Sequence, residues 1–278
     1  MLKQRVNTAA IGMPLLVLAI WFGAPWFTIL ITAVALGGTY EFYRMAHLDK
    51  REPLFYLGLL WLLVLVLSPY YLYRSPDVLP IVVTTIMLIS LVSLLHSPSQ
   101  EKAFRNWTWT IAGAFYVGWM LSYWLNLRAL GDGSEYGRNW VYLAMLTVFA
   151  NDTGAFFIGR ARGKHKLAPT ISPAKTWEGA TGGLICAILA SIVIAMVLKL
   201  ISLKLGSPFV FKYWQIILLG FLVGVFAQLG DLVESLLKRN MGVKESGNLL
   251  PGHGGILDRF DSLIFVGAVV YYYVIWVV

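Results

Sequence analysis

The chain has 278 residues, is 58% hydrophobic and only 13% charged, and has a mean hydropathy of +0.71, too apolar for a water-facing domain of this size. It belongs in a bilayer. Its formal net charge of +8 raises the question of a nucleic-acid partner, and the single cysteine, Cys186, sits in an apolar run and excludes an intrachain disulfide framework or cysteine metal site.

Apolar runs of roughly 15 to 22 residues recur along the whole sequence, about the length that crosses a ~30 Å hydrocarbon core. They lack the alternation of a membrane β-barrel, as residues 57–67 illustrate. The expected fold is therefore an all-α integral membrane protein of about nine transmembrane helices, near 7–22, 25–45, 54–73, 78–96, 107–127, 140–159, 177–198, 213–237 and 257–277. Turn formers such as Gly23, Pro53, Pro76, Pro98, Gly131, Pro173 and Pro208 punctuate the gaps. Lys3 and Arg5 ahead of the first apolar run resemble a signal peptide, but a second run follows almost at once, so the first is read as a retained helix. Residues 1–130 form an N-terminal group of helices for packing and for the contacts of a homodimer. Residues 140–278 form a C-terminal group carrying the site, and no separate soluble domain is expected.

An odd helix count puts the termini on opposite sides. With the N-terminus cytoplasmic and the C-terminus periplasmic or otherwise outside, sixteen of the 22 Lys and Arg fall in cytoplasmic segments. The other six, Arg74, Arg128, Arg138, Lys199, Lys204 and Lys212, lie outside. Topology accounts for the charge balance without nucleic acid. Nine of the sixteen cluster in residues 160–175 and 238–259, which marks those regions for anion binding, the alternative being contact with anionic membrane lipids.

The strongest chemical signal begins in the eighth expected helix. Asp231, Glu234, Ser235 and Lys238 stand at i, i+3, i+4 and i+7 and share one face. Carboxylates near the end of an apolar helix are costly unless they meet water, a cation or a partner; a structural Glu234–Lys238 ion pair is the plainer reading. A turn-rich segment follows, with Lys244, Glu245, His253, Gly254 and Gly255, whose glycines let backbone N–H groups approach a ligand. The ninth helix opens with Asp258, Arg259 and Asp261, and an aspartate there also suits the helix dipole. Three aspartates, His253 and the four basic residues Lys238, Arg239, Lys244 and Arg259 around one loop point to a metal-nucleotide site, because Mg²⁺ takes carboxylate, phosphate and water oxygens while Lys and Arg neutralise phosphate. A zinc site lacks a second His or Cys nearby. Upstream, Asp152 interrupts an apolar helix, and Ser172, Lys175, Thr176 and Glu178 precede and open the seventh helix, where either an anion or ordinary capping by Thr176 is served. No P-loop and no HExxH motif occurs. Glu41 and Arg44, near a cytoplasmic helix end, are assigned to packing and orientation.

Residues 235–261, SLLKRNMGVKESGNLLPGHGGILDRFD, resemble the signature of the phosphatidate cytidylyltransferases, also called CDP-diacylglycerol synthases. That family usually has Asp where this chain has Glu245. The resemblance extends to Asn151-Asp152-Thr153-Gly154 and to residues 172–179, and so covers the C-terminal half. It implies transfer of the cytidylyl group of CTP to phosphatidic acid, giving CDP-diacylglycerol and pyrophosphate for phospholipid synthesis, with Mg²⁺ as cofactor. On this reading Asp231 and Asp258 lead the metal ligands, with Asp261 and Glu234 beside them. Asp231, Asp258, Asp261, Lys238 and Arg259 carry the catalysis. Ser172, Lys175, Thr176, Glu178, Arg239, Lys244, His253, Gly254, Gly255 and Asp152 bind substrate. The short chain resembles the bacterial members, which implies the cytoplasmic (inner) membrane with a cytoplasm-facing site. A CTP-dependent lipid kinase and a membrane transporter are the alternatives.

Overall fold

In lipid a spanning segment must satisfy its own backbone polar groups, so long apolar runs become helices. In the computed structural model, which describes residues 2–49, 51–71, 78–96, 99–132, 135–250, 252 and 254–278, the helices in chain order are α1 (Leu2–Phe22), α2 (Trp26–Leu48), α3 (Phe55–Tyr71), α4 (Val78–Ser93), α5 (Gln100–Gly113), α6 (Met120–Ala129), α7 (Glu135–Arg162), α8 (Trp177–Lys204), α9 (Tyr213–Asn240) and α10 (Leu257–Val277). A tighter turn, Leu94–His96, ends α4, and a widened π-helical turn, Ala114–Trp119, joins α5 to α6 without a break. Every one of the nine expected segments has a helical counterpart, the fifth being the α5–α6 rod. Five helical segments among the described residues are long and apolar enough to cross a membrane: Val78–His96, Glu135–Arg162, Trp177–Lys204, Tyr213–Asn240 and Leu257–Val277.

A short antiparallel hairpin was not expected. Strands β1 (Lys166–Ala168) and β2 (Ser172–Thr176) pair Lys166 with Thr176 and Ala168 with Ser172. Pro169 lies in the connecting turn, and Thr176 leaves β2 in an extended conformation (φ −129°, ψ 154°) to cap α8, its hydroxyl accepting from Gly179 N at 3.1 Å. The hairpin therefore hangs from the N-terminus of α8.

The helices α7 to α10 pack through small residues, as membrane helices do when lipid offers no hydrophobic drive to associate. α8 buries Ala187, Ser191 and Ala195 while Ile185, Leu189, Val193 and Leu200 stay exposed to what would be lipid. Ser191 Oγ reaches Ile216 O on α9 at 3.1 Å. Where α9 crosses α10, a Cβ on Gly230 would lie 2.6 Å from Asp261 O, so only glycine allows that approach. α2 joins this group from the N-terminal half, contacting α6 and α10 and burying Phe27, Ile31 and Phe42. One end of the bundle thereby gathers the C-terminal ends of α2, α7 and α9 with the N-terminal ends of α8 and α10.

Candidate active site

The i, i+4 spacing of Glu234 and Lys238 on α9 sets both on the face turned toward α10. Lys238 is buried, and its Nζ stands 2.5 Å from Glu234 Oε2 and 2.6 Å from Asp258 Oδ1. Two carboxylates on one ammonium close the α9–α10 angle with charge-assisted bonds. The second oxygen of Asp258 is also taken. It accepts from Ser246 N and Gly255 N, both at 2.9 Å, so the aspartate draws the two limbs of the intervening loop onto the first turn of α10.

Ser246 Oγ lies 3.0 Å from Asp258 Oδ2 and 2.9 Å from Glu41 Oε2, and its single proton is shared between them. Glu41, wholly buried on α2, also accepts from Leu257 N at 3.0 Å and so caps the start of α10 from the other half of the chain. Its other oxygen, Oε1, is buried without a hydrogen-bond partner among the described residues. Sequence reasoning assigned Glu41 to orientation, and the geometry gives that role its contacts.

A second cluster is acidic. The carboxylates of Asp152, Asp231, Glu234 and Asp261, from α7, α9 and α10, lie near enough for their charges to act on one another. Asp231 Oδ2 is paired with Lys175 Nζ at 2.9 Å, and Asp231 Oδ1 lies 3.4 Å from Ser235 Oγ. Asp152 accepts from Asn151 Nδ2 at 2.9 Å, and Asp261 from Ser262 N at 2.6 Å. Neither makes an ion pair among the described residues. Gln228 Nε2 holds Asn151 Oδ1 at 3.0 Å and Ala180 O at 2.9 Å, which locks α7, α8 and α9 together one turn above the cluster.

No three of these acids, among the described residues, converge tightly enough to hold a metal by themselves. Mg²⁺ binds through one or two carboxylates while keeping water and substrate phosphate as its other ligands. Under-compensated carboxylate oxygens facing one another therefore fit an ion that arrives with a triphosphate. Asp152 and Asp261 each have one oxygen without a partner among the described residues, and Asp231 is held only by Lys175 and, at 3.4 Å, by Ser235, whereas Asp258 has both oxygens firmly engaged.

The remaining expected residues divide. Lys175 reaches the acidic cluster from β2, with half-buried Ser172 on the same strand. Thr176 is spent on the α8 cap. Glu178 accepts from Lys164 N at 3.0 Å and lies 2.6 Å from His165 Nδ1, so it fastens the base of the hairpin instead of facing the acids. Arg239 donates to Ile171 O at 3.2 Å and Val243 O at 3.1 Å, tying the hairpin to the loop after α9. Lys244 and Arg259 are exposed. Gly254 takes φ +81° beside Asp258, a conformation that favours glycine, and Gly255 lies against Ser246 and Glu41. His253 lies outside the described residues. Sequence reasoning missed Gln228, Ser246 and Tyr116. The last sits in the π-helical turn, where its buried hydroxyl has no hydrogen-bond partner among the described residues and feels the charges of Glu234, Asp261 and Asp231. π-Turns of this kind often accompany functional sites, but no sequence periodicity reports them.

Comparison with known proteins agrees with the signature. Residues 3–277 match the model of the cytidylyltransferase family. The chain is 34% identical over 273 residues to a phosphatidate cytidylyltransferase of Bacillus subtilis (strain 168), covering 98% of this chain and 97% of that one. It is 33% identical over 270 residues to that of Brucella suis biovar 1 (strain 1330), covering 97% and 92%, and 32% identical over 299 residues to that of Synechocystis sp., covering 98% and 96%. With the match running nearly end to end, and the signature residues gathered at one end of the helix bundle, this chain belongs to the cytidylyltransferase family.

Proposed function

We propose that this protein is a phosphatidate cytidylyltransferase, which moves the cytidylyl group of CTP onto phosphatidic acid and forms CDP-diacylglycerol and pyrophosphate. The observation that carries this reading is the near full-length similarity to phosphatidate cytidylyltransferases, joined to a site in which α7, α8, α9 and α10 bring carboxylates and lysines to one end of a membrane bundle. A two-tailed lipid stays in the bilayer and CTP stays in water, so the reaction needs a site at that boundary. The chain spans the bacterial inner membrane nine times, N-terminus cytoplasmic and C-terminus outside, with the site open to the cytoplasm; the excess of Lys and Arg in the corresponding segments supports this orientation. Homodimer contacts belong to the N-terminal helices.

The lipid phosphate is already anionic near neutral pH, so its oxygen attacks the α-phosphorus of CTP without a strong base, and the bond to the bridging oxygen of the β-phosphate breaks as pyrophosphate leaves. Positioning and charge neutralisation carry the rate. Asp231 and Asp261, with Asp152 beside them, would hold Mg²⁺, which when bound would supply positive charge against the reacting phosphates. Lys175, paired with Asp231 at 2.9 Å, would neutralise a phosphate bound beside the acids. Lys238 and Asp258 hold the loop of residues 245–257 in place beside the acids, Lys244, Arg259 and His253 are assigned to the triphosphate, and Glu234 keeps Lys238 in position. Arg239 and Ser172 orient the hairpin over the site.

The purified protein supplied with CTP, Mg²⁺ and phosphatidic acid tests the reaction: mass spectrometry should find CDP-diacylglycerol and one pyrophosphate per lipid. Release of CDP with a newly phosphorylated lipid would make it a CTP-dependent kinase instead.

A further inference from the structure

Between the C-terminal end of α2 and the loop that follows α9 lies a cavity of about 240 Å³, lined by Arg44, Met45, Val243, Glu245, Ser246 and Asn248. It has room for a single aromatic ring and a few waters. Met45 and Val243 give it apolar wall. Three of its polar side chains, the exposed Arg44, Glu245 and Asn248, make no hydrogen bond or ion pair among the described residues and stand open to a ligand. Arg44 brings N–H donors, Glu245 acceptors only, and Asn248 one of each kind. Small-molecule pockets combine apolar walls with a few orienting polar groups of this sort.

The neighbourhood places the cavity beside the reaction site. Ser246, part of its wall, bonds through its amide to Asp258 Oδ2 at 2.9 Å, and a Cβ on Gly254 would lie within 3.8 Å of Glu245 Oε2 and 3.1 Å of Asp258 Oδ2. The cavity therefore adjoins the loop that Asp258 holds.

We propose that this cavity is the base pocket of the enzyme and reads the pairing edge of a pyrimidine that bears an exocyclic amine. This rests on the proposed CTP-dependent reaction and names the subsite that chooses the nucleotide. Cytosine offers an N4 amine donor with N3 and O2 acceptors. Glu245 takes the amine, and Arg44 with Asn248 donates to the acceptors. Uracil puts O4 where the amine would be, which sets a carbonyl oxygen against the Glu245 carboxylate and leaves both without a donor. A hydrogen bond that cytosine makes and uracil cannot separates the two bases by the worth of a bond to a charged group, about 1.5–3 kcal/mol, which is tenfold or more in affinity.

Two measurements on the purified full chain decide it: kcat/KM with CTP and with UTP at saturating phosphatidic acid and Mg²⁺, and binding of each nucleotide by isothermal titration calorimetry. In Glu245→Gln, whose amide can donate to O4, the CTP:UTP ratio should fall at least tenfold. The loss should appear in KM for CTP and gain for UTP, with kcat for CTP within about threefold of wild type. Arg44→Ala should weaken CTP binding tenfold or more. A wild-type protein that binds CTP and UTP equally, or a CTP:UTP ratio unchanged within twofold in Glu245→Gln, overturns the pocket. Absence of CDP-diacylglycerol from the wild type would instead overturn the reaction, and the calorimetric ratio would still judge the pocket.

Discussion

Lys238 and Asp258 meet at 2.6 Å across the angle between α9 and α10, and through that contact the last turn of one membrane helix is fixed to the first turn of the next. The same ammonium holds Glu234 at 2.5 Å. Removing it strands two carboxylates in a buried setting, a change that costs about 3–5 kcal/mol when a buried ion pair loses one partner. Lys238→Ala should therefore lose both activity and thermal stability, read together as cytidylyl transfer and as the unfolding midpoint of the detergent-solubilised protein. Loss of activity at an unchanged midpoint would place Lys238 on the substrate instead.

Asp231 and Asp258 should separate under the same treatment. Asp231 is partly exposed and, among the described charged residues, pairs with Lys175 alone, whereas Asp258 satisfies Lys238, Ser246 and Gly255. Asp231→Asn should keep the unfolding midpoint within about 2 °C and lower kcat at least about a hundredfold, in line with removal of a group that acts on transition-state charge. Asp258→Asn should lower the midpoint by several degrees as well, because the loop loses its anchor. Equal midpoints for the two variants would refute this division of roles.

Glu41 acts from 216 positions away in sequence on the amide of Leu257. Glu41→Ala leaves that buried N–H without its acceptor, a loss of about 1–3 kcal/mol, while Glu41→Gln keeps a carbonyl oxygen in place. Proteolysis should cut the loop of residues 242–256 faster in the alanine variant, and turnover should fall at least tenfold there yet stay within threefold of wild type in the glutamine variant. Identical behaviour of the two would remove the capping role.

How much of this was legible in sequence depends on distance along the chain. The face shared by Asp231, Glu234 and Lys238 follows from helical spacing, and apolar run length marked all the helical segments. Thr176 as a cap and the Glu234–Lys238 pair were both foreseen as the plainer readings, and both contacts form. The contact between Glu41 and Ser246 spans 205 positions, and no periodic pattern encodes it. The hairpin was missed because strands of three and five residues are too short to show alternation. Asp258 and Asp261 share a helical face, so spacing alone could not reveal that loop amides consume the oxygens of the first and leave the second beside Asp231.

Metal dependence follows from the acidic cluster. Chelation by EDTA should abolish turnover, and added Mg²⁺ should restore it. In Asp261→Asn the Mg²⁺ concentration for half-maximal rate should rise at least tenfold, and Mn²⁺ bound per protein, counted by electron paramagnetic resonance in the presence of CTP, should fall. Unaltered Mn²⁺ binding in that variant would move the ion away from Asp261.

The central claim, that this bundle end joins CTP to a lipid phosphate, is tested most directly by following the two ends of the triphosphate. Purified protein is given phosphatidic acid, Mg²⁺ and CTP labelled at either the α- or the γ-phosphate, with Asp231→Asn as the inactive control. The α-label should enter the lipid fraction while the γ-label leaves as pyrophosphate, and neither should move with the variant. Lipid that carries only the γ-label would contradict the account.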